Sequence, residues 1–560
     1  MISSWRSRIF LALALFLLAV YFFLFLVYPT LYVVVSSFFQ NGSLHLGFYR
    51  DTFRNLFYRD CLLNSLLIGI FVTLITTLVA LPLALAAVKR DFPGKIWVHA
   101  LILLPMVMPP FVGALGFRQI FALNGSVNVF LAHVFAFQPV DWLRAAPFWS
   151  VVFLEVLHLY PIMYLNVVAS LANVDRSLEE AAANLGGGPL QVFRRVTFPL
   201  MLPGFFAGAS IVFIWAFTDL GAPIILDYRA VVPSVIYHMH ESPTGDPQGA
   251  VVVVTTLLLT AVLFLLARRM MTGRTFAMLS KGSIQSKPPR ASFRLTLVIY
   301  LFLAFLTLFA LMPHFAVLMA AFAARWQSTI FPSSFTLANF SDLFSRSYAM
   351  NAILNSLFYS LACTALVFLL GVLIAWILVR TSFRGAAILD AATMLPLALP
   401  GIVLAFGYLV CYYDVPLVGV RFNPFLLIIV AYSMRRLPYM VRAAVAGLQQ
   451  VSTGLEEAST NLGASRLRTL LRITLPLIAA NLLAGALLTF VFSMFEVSCS
   501  LMLLQTPDVF SFSPALAKIL NDQAPFTASA LGLMGMVVLA LGLFIASRFL
   551  GKRMGELFRL

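Results

Sequence analysis

The stretch NVDRSLEEAAANLGGGPLQVFRRVTFP, residues 173–199, returns 277 residues later as QVSTGLEEASTNLGASRLRTLLRITLP, residues 450–476. Both are polar islands in an apolar chain. Asp175 or Ser177, and Ser452 or Thr453, can accept from first-turn amides and start a short helix. Glu180 stands three residues after Ser177, and Glu456 three after Thr453, which is capping-box spacing. Small residues follow the acids, Gly186 and Gly463 suit a helix C-terminus, and a second short amphipathic helix, Leu190–Thr197 or Leu467–Thr474, ends at Pro199 or Pro476. The pattern predicts two helix–turn–helix loops, each presenting an acid outward over small side chains that let another surface come close.

The repeat extends beyond these loops. At the same 277 shift Pro161 meets Pro438, Glu180 meets Glu457 and Gly186 meets Gly463. Upstream the shift is 291: Asn64-Ser65 meets Asn355-Ser356, Phe92 meets Phe383, Gly94 meets Gly385, Pro105 meets Pro396, Pro109 meets Pro400 and Gly116 meets Gly407. The difference is an insertion in the first half, around the loop Asn124–Ala146. Such self-similarity divides the chain into a first repeat, 1–267, and a second, 295–560, joined by the basic Ser/Pro-containing linker 268–294.

Between the polar islands the chain reads as membrane. Its 560 residues are 61% apolar and only 10% charged, with a mean hydropathy of +0.97, against about 45–50% apolar and 25% charged in soluble domains. Runs long enough to cross a bilayer, about 20 residues, fall at 9–35, 62–88, 97–122, 148–172, 200–226, 248–267, 295–320, 352–379, 386–412, 424–446, 477–503 and 526–547. The expectation is an all-α polytopic membrane protein of about twelve transmembrane helices in two parallel six-helix repeats. Six spans per repeat, an even number, give both copies the same orientation, with a pathway at their interface.

The first run, preceded by Arg6 and Arg8, is too long for a signal-peptide core and stays as a span. The net charge of +16 would suggest nucleic acid in a soluble domain. Here the basic clusters Lys89/Arg90/Lys95, Arg176/Arg194/Arg195, the linker, Arg380/Arg384, Arg466/Arg468/Arg472 and Arg548/Lys552/Arg553/Arg559 all fall on one side, as the positive-inside rule requires of cytoplasmic loops. Both termini are thus expected in the cytoplasm, with membrane lipid and not nucleic acid as the partner. The cysteines Cys61, Cys363, Cys411 and Cys499 have no metal spacing. No HExxH or Ser/His/Asp arrangement supports catalysis, and neither Gly94-Lys95 nor Gly551-Lys552 completes a phosphate-binding loop.

The loop pattern resembles the EAA loop of permease subunits in binding-protein-dependent ABC importers. Glu180-Ala181-Ala182, Gly186 and Pro199 carry it in the first half, with Val196 and Phe198 for Ile and Leu; Glu457-Ala458-Ser459, Gly463 and Pro476 carry it in the second, with Ser459 for Ala. The fused arrangement is similar to permeases for iron(III), thiamine, phosphonates and sugar phosphates. The resemblance implies a type I importer-like fold in the bacterial inner membrane. It also implies a homodimer of a cytoplasmic ABC ATPase seated on the two loops, and a periplasmic or lipid-anchored solute-binding protein outside. ATP and Mg would belong to the partner ATPase, with no cofactor on this chain.

Ionisable groups within a span are functional candidates by default. Asp219 and Glu496 meet at the 277 shift near the outer ends of the fifth and eleventh spans, and are candidates for the translocation path. Glu155, His158 and Asp390 are expected to pair with neighbouring helices. Arg435 and Arg436 are too costly to face lipid and should snorkel or line an inner vestibule. The proline pairs Pro105/Pro109 and Pro396/Pro400 should bend the third and ninth spans. The rival reading, a secondary transporter of the major facilitator type, would need neither EAA loop. A membrane-embedded enzyme would need a cluster of His, Cys or carboxylates.

Overall fold

The computed structural model describes residues 5–40, 43–44, 46–172, 174–238, 247–272, 288–413 and 423–550. Most of the linker, 273–287, and the basic tail carrying Lys552, Arg553 and Arg559 lie outside the described residues. Apart from two short antiparallel hairpins, Phe39–Gln40 with Ser43–Leu44 and Ala323–Arg325 with Ser334–Phe335, and one isolated bridge, the described elements are helical. Among the described residues nine helices are long and apolar enough to span a membrane, and twelve if each of three bent pairs counts once. In a bilayer every backbone polar group must be satisfied within the protein, which leaves the helix as the default for these runs.

The second span (Leu56–Lys89) and its repeat mate, the eighth (Ser347–Arg380), are the longest unbroken helices. Each packs with the fourth (Pro147–Ala172) or tenth (Pro424–Gln450) span of its own half, and with the fifth or eleventh. The repeated Asn-Ser pairs explain themselves here. Asn64 Nδ2 donates to the Ala230 carbonyl at 3.0 Å and Ser65 Oγ accepts from Val232 N at 2.9 Å. Asn355 Nδ2 donates to the Phe510 carbonyl at 3.0 Å, and Ser356 Oγ accepts from Phe512 N at 2.7 Å. In both halves the pair holds the segment that follows the broken end of the fifth or eleventh span.

The third and ninth spans break rather than bend. Lys95–Met106 and Pro110–Phe135 meet at 88°, Ala386–Ala398 and Gly401–Tyr412 at 99°. Met108 and Leu399, each preceding a proline, are extended (φ −107°, ψ 128° and φ −90°, ψ 122°), as proline requires of the residue before it.

The first span of each half packs on the other half. Within the first, Phe23–Val27 forms a π-turn just before Pro29, which has no N–H and cannot donate to the Phe25 carbonyl one turn back. Hydroxyls of the ninth span replace the missing donors: Tyr408 Oη donates to the Phe25 carbonyl at 2.5 Å and Tyr412 Oη to that of Leu24. Tyr21 bonds Ser433 of the tenth span at 2.6 Å. In return the seventh span (Phe293–Phe322) lies along Pro110–Phe121 of the first half. Both crossings use a glycine against a proline turn, Gly407 on Pro29 and Gly116 on Pro313.

Candidate functional site

The two polar loops fold alike. Arg176–Asn184 and Thr453–Asn461 are nine-residue helices whose N-caps are Asp175, accepting from Ser177 N at 2.9 Å, and Ser452, accepting from Gly454 N at 3.3 Å. The expected capping boxes therefore do not form, because with Asp175 and Ser452 as N-caps the residues three further on are Leu178 and Leu455. Gly186 and Gly463 adopt φ +86° and +84°, the left-handed C-terminal position that L side chains resist. The amides of Gly187 and Ala464 return to the carbonyls of Ala182 and Ser459 at 3.0 and 3.1 Å.

Each loop has one acid inward and one outward. Glu179, not Glu180, pairs with Lys89 at 2.6 Å and accepts from the Thr197 hydroxyl. Glu456, not Glu457, pairs with Arg380 at 3.1 Å and accepts from Thr474 at 3.0 Å. Arg380 also donates to the Leu448 and Val451 carbonyls at 3.0 and 2.9 Å. These anchors tie each loop and the span that follows it to the end of the second or eighth span at one point, so a push on the loop is a push on the helices. Repeat registers align all three partners, Lys89 with Arg380, Glu179 with Glu456 and Thr197 with Thr474, so the anchor is duplicated in the sequence as well.

Glu180 and Glu457 are exposed, as are Ala181 and Ala458. Beside them Leu185 and Leu462 are each 90% exposed, with Leu190 and Leu467 at 69% and 64%. Apolar surface of that kind, duplicated on one face, is what a protein partner covers. The leucines were missed from sequence because a lone Leu in a polar loop has no periodicity to betray it.

Ser459 is buried and hydrogen-bonded to Thr469 at 2.9 Å, where the matching positions of the first loop are Ala182 and Val192. The departure from alanine is thus matched by a second departure ten residues on. Ser459→Ala alone should cost about 1 kcal/mol by orphaning the Thr469 hydroxyl. Ser459→Ala with Thr469→Val should recover most of it in thermal unfolding, and a double variant as weak as the single contradicts the pairing.

The expected second helices do not end at Pro199 and Pro476. Pro189–Val192 runs through a π-turn, Phe193–Thr197, into the fifth span at Phe198–Thr218. Arg466–Thr469 does the same through Leu470–Thr474, before a 75° bend into Ala479–Met494. The prolines sit where their missing N–H falls inside the widened turn.

At the far ends of these spans lie Asp219 and Glu496. Both cap the next short helix: Asp219 Oδ2 accepts from Ala222 N at 2.8 Å, Glu496 Oε2 from Cys499 N at 2.8 Å and Ser500 N at 3.2 Å. Beyond that they diverge. Glu496 is buried and ion-paired with Arg435, whose guanidinium lies so close to Gly401 that a Cβ there would stand 2.4 Å from Nη1 and push it. Asp219 instead faces the buried Glu155 carboxyl. Arg435 and Arg436 therefore do not snorkel. Arg436 donates Nη2 to the Phe492 carbonyl at 2.7 Å and sits over the Phe492 ring. Asp390 pairs with Arg442 at 3.1 Å, and His158 lines a small cavity with Pro105, Pro109 and His314.

On the opposite face, Asp522 is held below the usual carboxylate range by the Lys518 ammonium at 2.6 Å, helped by the Tyr348 hydroxyl and Arg346. This cluster joins the outer ends of the seventh-to-eighth connection and the twelfth span.

With this geometry in hand, the comparisons are direct. The family model described as "Binding-protein-dependent transport system inner membrane component" matches twice, over residues 77–272 and 367–556. The ferric transport system permease protein of Actinobacillus pleuropneumoniae is 29% identical over 508 residues, covering 88% of this chain and 71% of that protein. A Haemophilus influenzae protein provisionally named a ferric transport system permease is 28% identical, over 85% of this chain and 75% of its own. A Salmonella typhimurium protein provisionally named a 2-aminoethylphosphonate transport system permease is 29% identical over 201 residues, 35% of this chain and 70% of its own.

Proposed function

The chain belongs to the family of binding-protein-dependent transport system inner membrane components, with two copies fused, and from that premise we propose that it is the complete membrane pathway of an ATP-driven importer. Each copy supplies one docking loop on the cytoplasmic face. A homodimeric ABC ATPase seats one subunit on each loop, and closure of the ATPase dimer moves the spans to expose the pathway alternately to either side. The chain contributes no ATPase site of its own, and a solute-binding protein delivers substrate from outside.

One observation carries this reading. Two loops of equal backbone shape present the same outward set, Glu180 with Leu185 and Leu190, and Glu457 with Leu462 and Leu467, while the neighbouring acids Glu179 and Glu456 lock them to the spans. Small residues at Ala181, Ala182 and Ala458 keep that surface shallow. A merely solvated loop has no use for a leucine exposed to 90%, and each of the two loops has one.

For the substrate we propose iron(III), which the names of the long-range relatives support; phosphonate, sugar phosphate and thiamine follow. A secondary transporter is the alternative. The deciding experiment is co-purification with the candidate ATPase, with ATP hydrolysis recorded on adding binding protein. Wild type should hold two ATPase copies and respond to binding protein, and Glu180→Lys with Glu457→Lys should lose both while still inserting in the membrane. A wild-type chain that binds no ATPase favours the secondary transporter.

A further inference from the structure

The repeat register locates the axis between the halves. Residues 215 and 492 are 277 apart, the shift that relates the two halves here, and their side chains touch. Trp215 and Phe492 meet edge to face with ring centroids 5.4 Å apart and planes at 84°. Mates related by a twofold axis each lie half their separation from it, so mates in contact lie on it. In a transporter built of parallel repeats, that axis is where the pathway runs.

The second half surrounds this contact with specific groups. Tyr439 stacks on Phe492 at 5.5 Å and 29°. The Arg436 guanidinium lies 5.5 Å from the centre of the same ring, and is 7% exposed with Nε lacking any partner. A cation over an aromatic face is partly compensated by the ring, but a guanidinium at bilayer depth still calls for an anion. The nearby carboxylate, Glu496, is already occupied by Arg435 and two backbone amides. At the 277 shift the arginines correspond to His158 and Leu159, so this positive charge has no counterpart in the first half. The acids of that half, Asp219 and Glu155, face each other.

We propose that Trp215 and Phe492 form the seal of the translocation pathway on the pseudo-twofold axis, and that Arg436, pressed against the seal, is the group a solute meets as it parts, so that the open route selects a small oxyanion. This rests on the transporter reading above and narrows it. A phosphonate fits directly, and a ferric ion would cross with anionic ligands.

The test uses the full chain in proteoliposomes, with neither ATPase nor binding protein, so it can fail while coupling to the ATPase stands. Wild type should retain both trapped methylphosphonate and trapped choline. Trp215→Ala with Phe492→Ala should release methylphosphonate at least tenfold faster than choline, and adding Arg436→Met should bring the two rates together. Trp215→Phe should stay tight. A folded double variant that leaks neither probe overturns the seal, and a leak without anion preference overturns the role of Arg436. Independently, Trp215→Cys with Phe492→Cys should join under a bismaleimide long enough to span the two deleted rings, a separation too wide for a direct disulfide, the native cysteines all being buried; no cross-link in folded protein removes the on-axis contact.

Discussion

Replacing Glu496 with alanine is expected to be among the most damaging single changes in the chain, costing about 3–5 kcal/mol, because it strands Arg435 at membrane depth. The same carboxylate accepts from the Cys499 and Ser500 amides, so the break after Met494 loses its cap as well. Glu496→Gln keeps an acceptor and removes the charge, and Glu496→Gln with Arg435→Met should be more stable than either single change, since neither charge is then left alone. The repeat mate should behave differently. Asp219 faces another carboxyl rather than a guanidinium, and Asp219→Asn retains an acceptor for Ala222 N, so its loss should stay near 1 kcal/mol. Thermal unfolding of the detergent-solubilised variants by tryptophan fluorescence reads all five, Arg435→Met included. Equal losses at 219 and 496 would contradict the unequal charge pairing of the halves.

The second large effect lies at the crossings. A Cβ at Gly116 would stand 2.1 Å from the Pro313 carbonyl oxygen and 3.1 Å from Ala316 Cβ, and the first obstacle is backbone. Gly116→Ala must push the seventh span off Pro110–Phe121, an overpacking cost of about 2–3 kcal/mol, and the variant should unfold at clearly lower temperature. At Gly407 the nearest atoms, Pro29 Cβ and O, are 3.2 Å away, which a shift of a few tenths of an ångström relieves. Gly407→Ala should therefore lie within about 1 kcal/mol of wild type. If the two substitutions cost the same, the crossings are not packed as described.

These cases also show how far the residues could be read in advance. The glycines at 116 and 407 were legible as repeat mates, but their purpose was not, because it depends on a proline turn some 200 to 400 residues away in the chain. The loops were legible down to the left-handed Gly186 and Gly463, since a C-terminal glycine is a local requirement of backbone geometry. Which acid anchors each loop was not. Glu179 and Glu180 are chemically identical neighbours, and only the position of Lys89 on the second span decides which turns inward. The same holds for Glu456, Glu457 and Arg380. The third and ninth spans were expected to bend at their prolines; they break, because the extended residue before Pro109 or Pro400 interrupts the helix.

Sequence alone determined what depends on composition and on neighbours a few residues apart: a membrane-embedded helical chain, its twelve apolar runs, the duplication and its register, and the two polar loops. The tertiary structure decided what depends on contact between distant segments. It wedged the first span of each half between the last span of its own half and the other half, spent Glu496 on Arg435 while leaving Asp219 to Glu155, and brought Trp215 onto Phe492. The physical reason is that apolar periodicity and backbone geometry act over a turn or two of chain, whereas the partner of a buried charge or ring is set by which helices pack together. In a bilayer, where every span is apolar, hydrophobicity says little about that choice, and small residues, proline gaps and buried polar pairs make it instead.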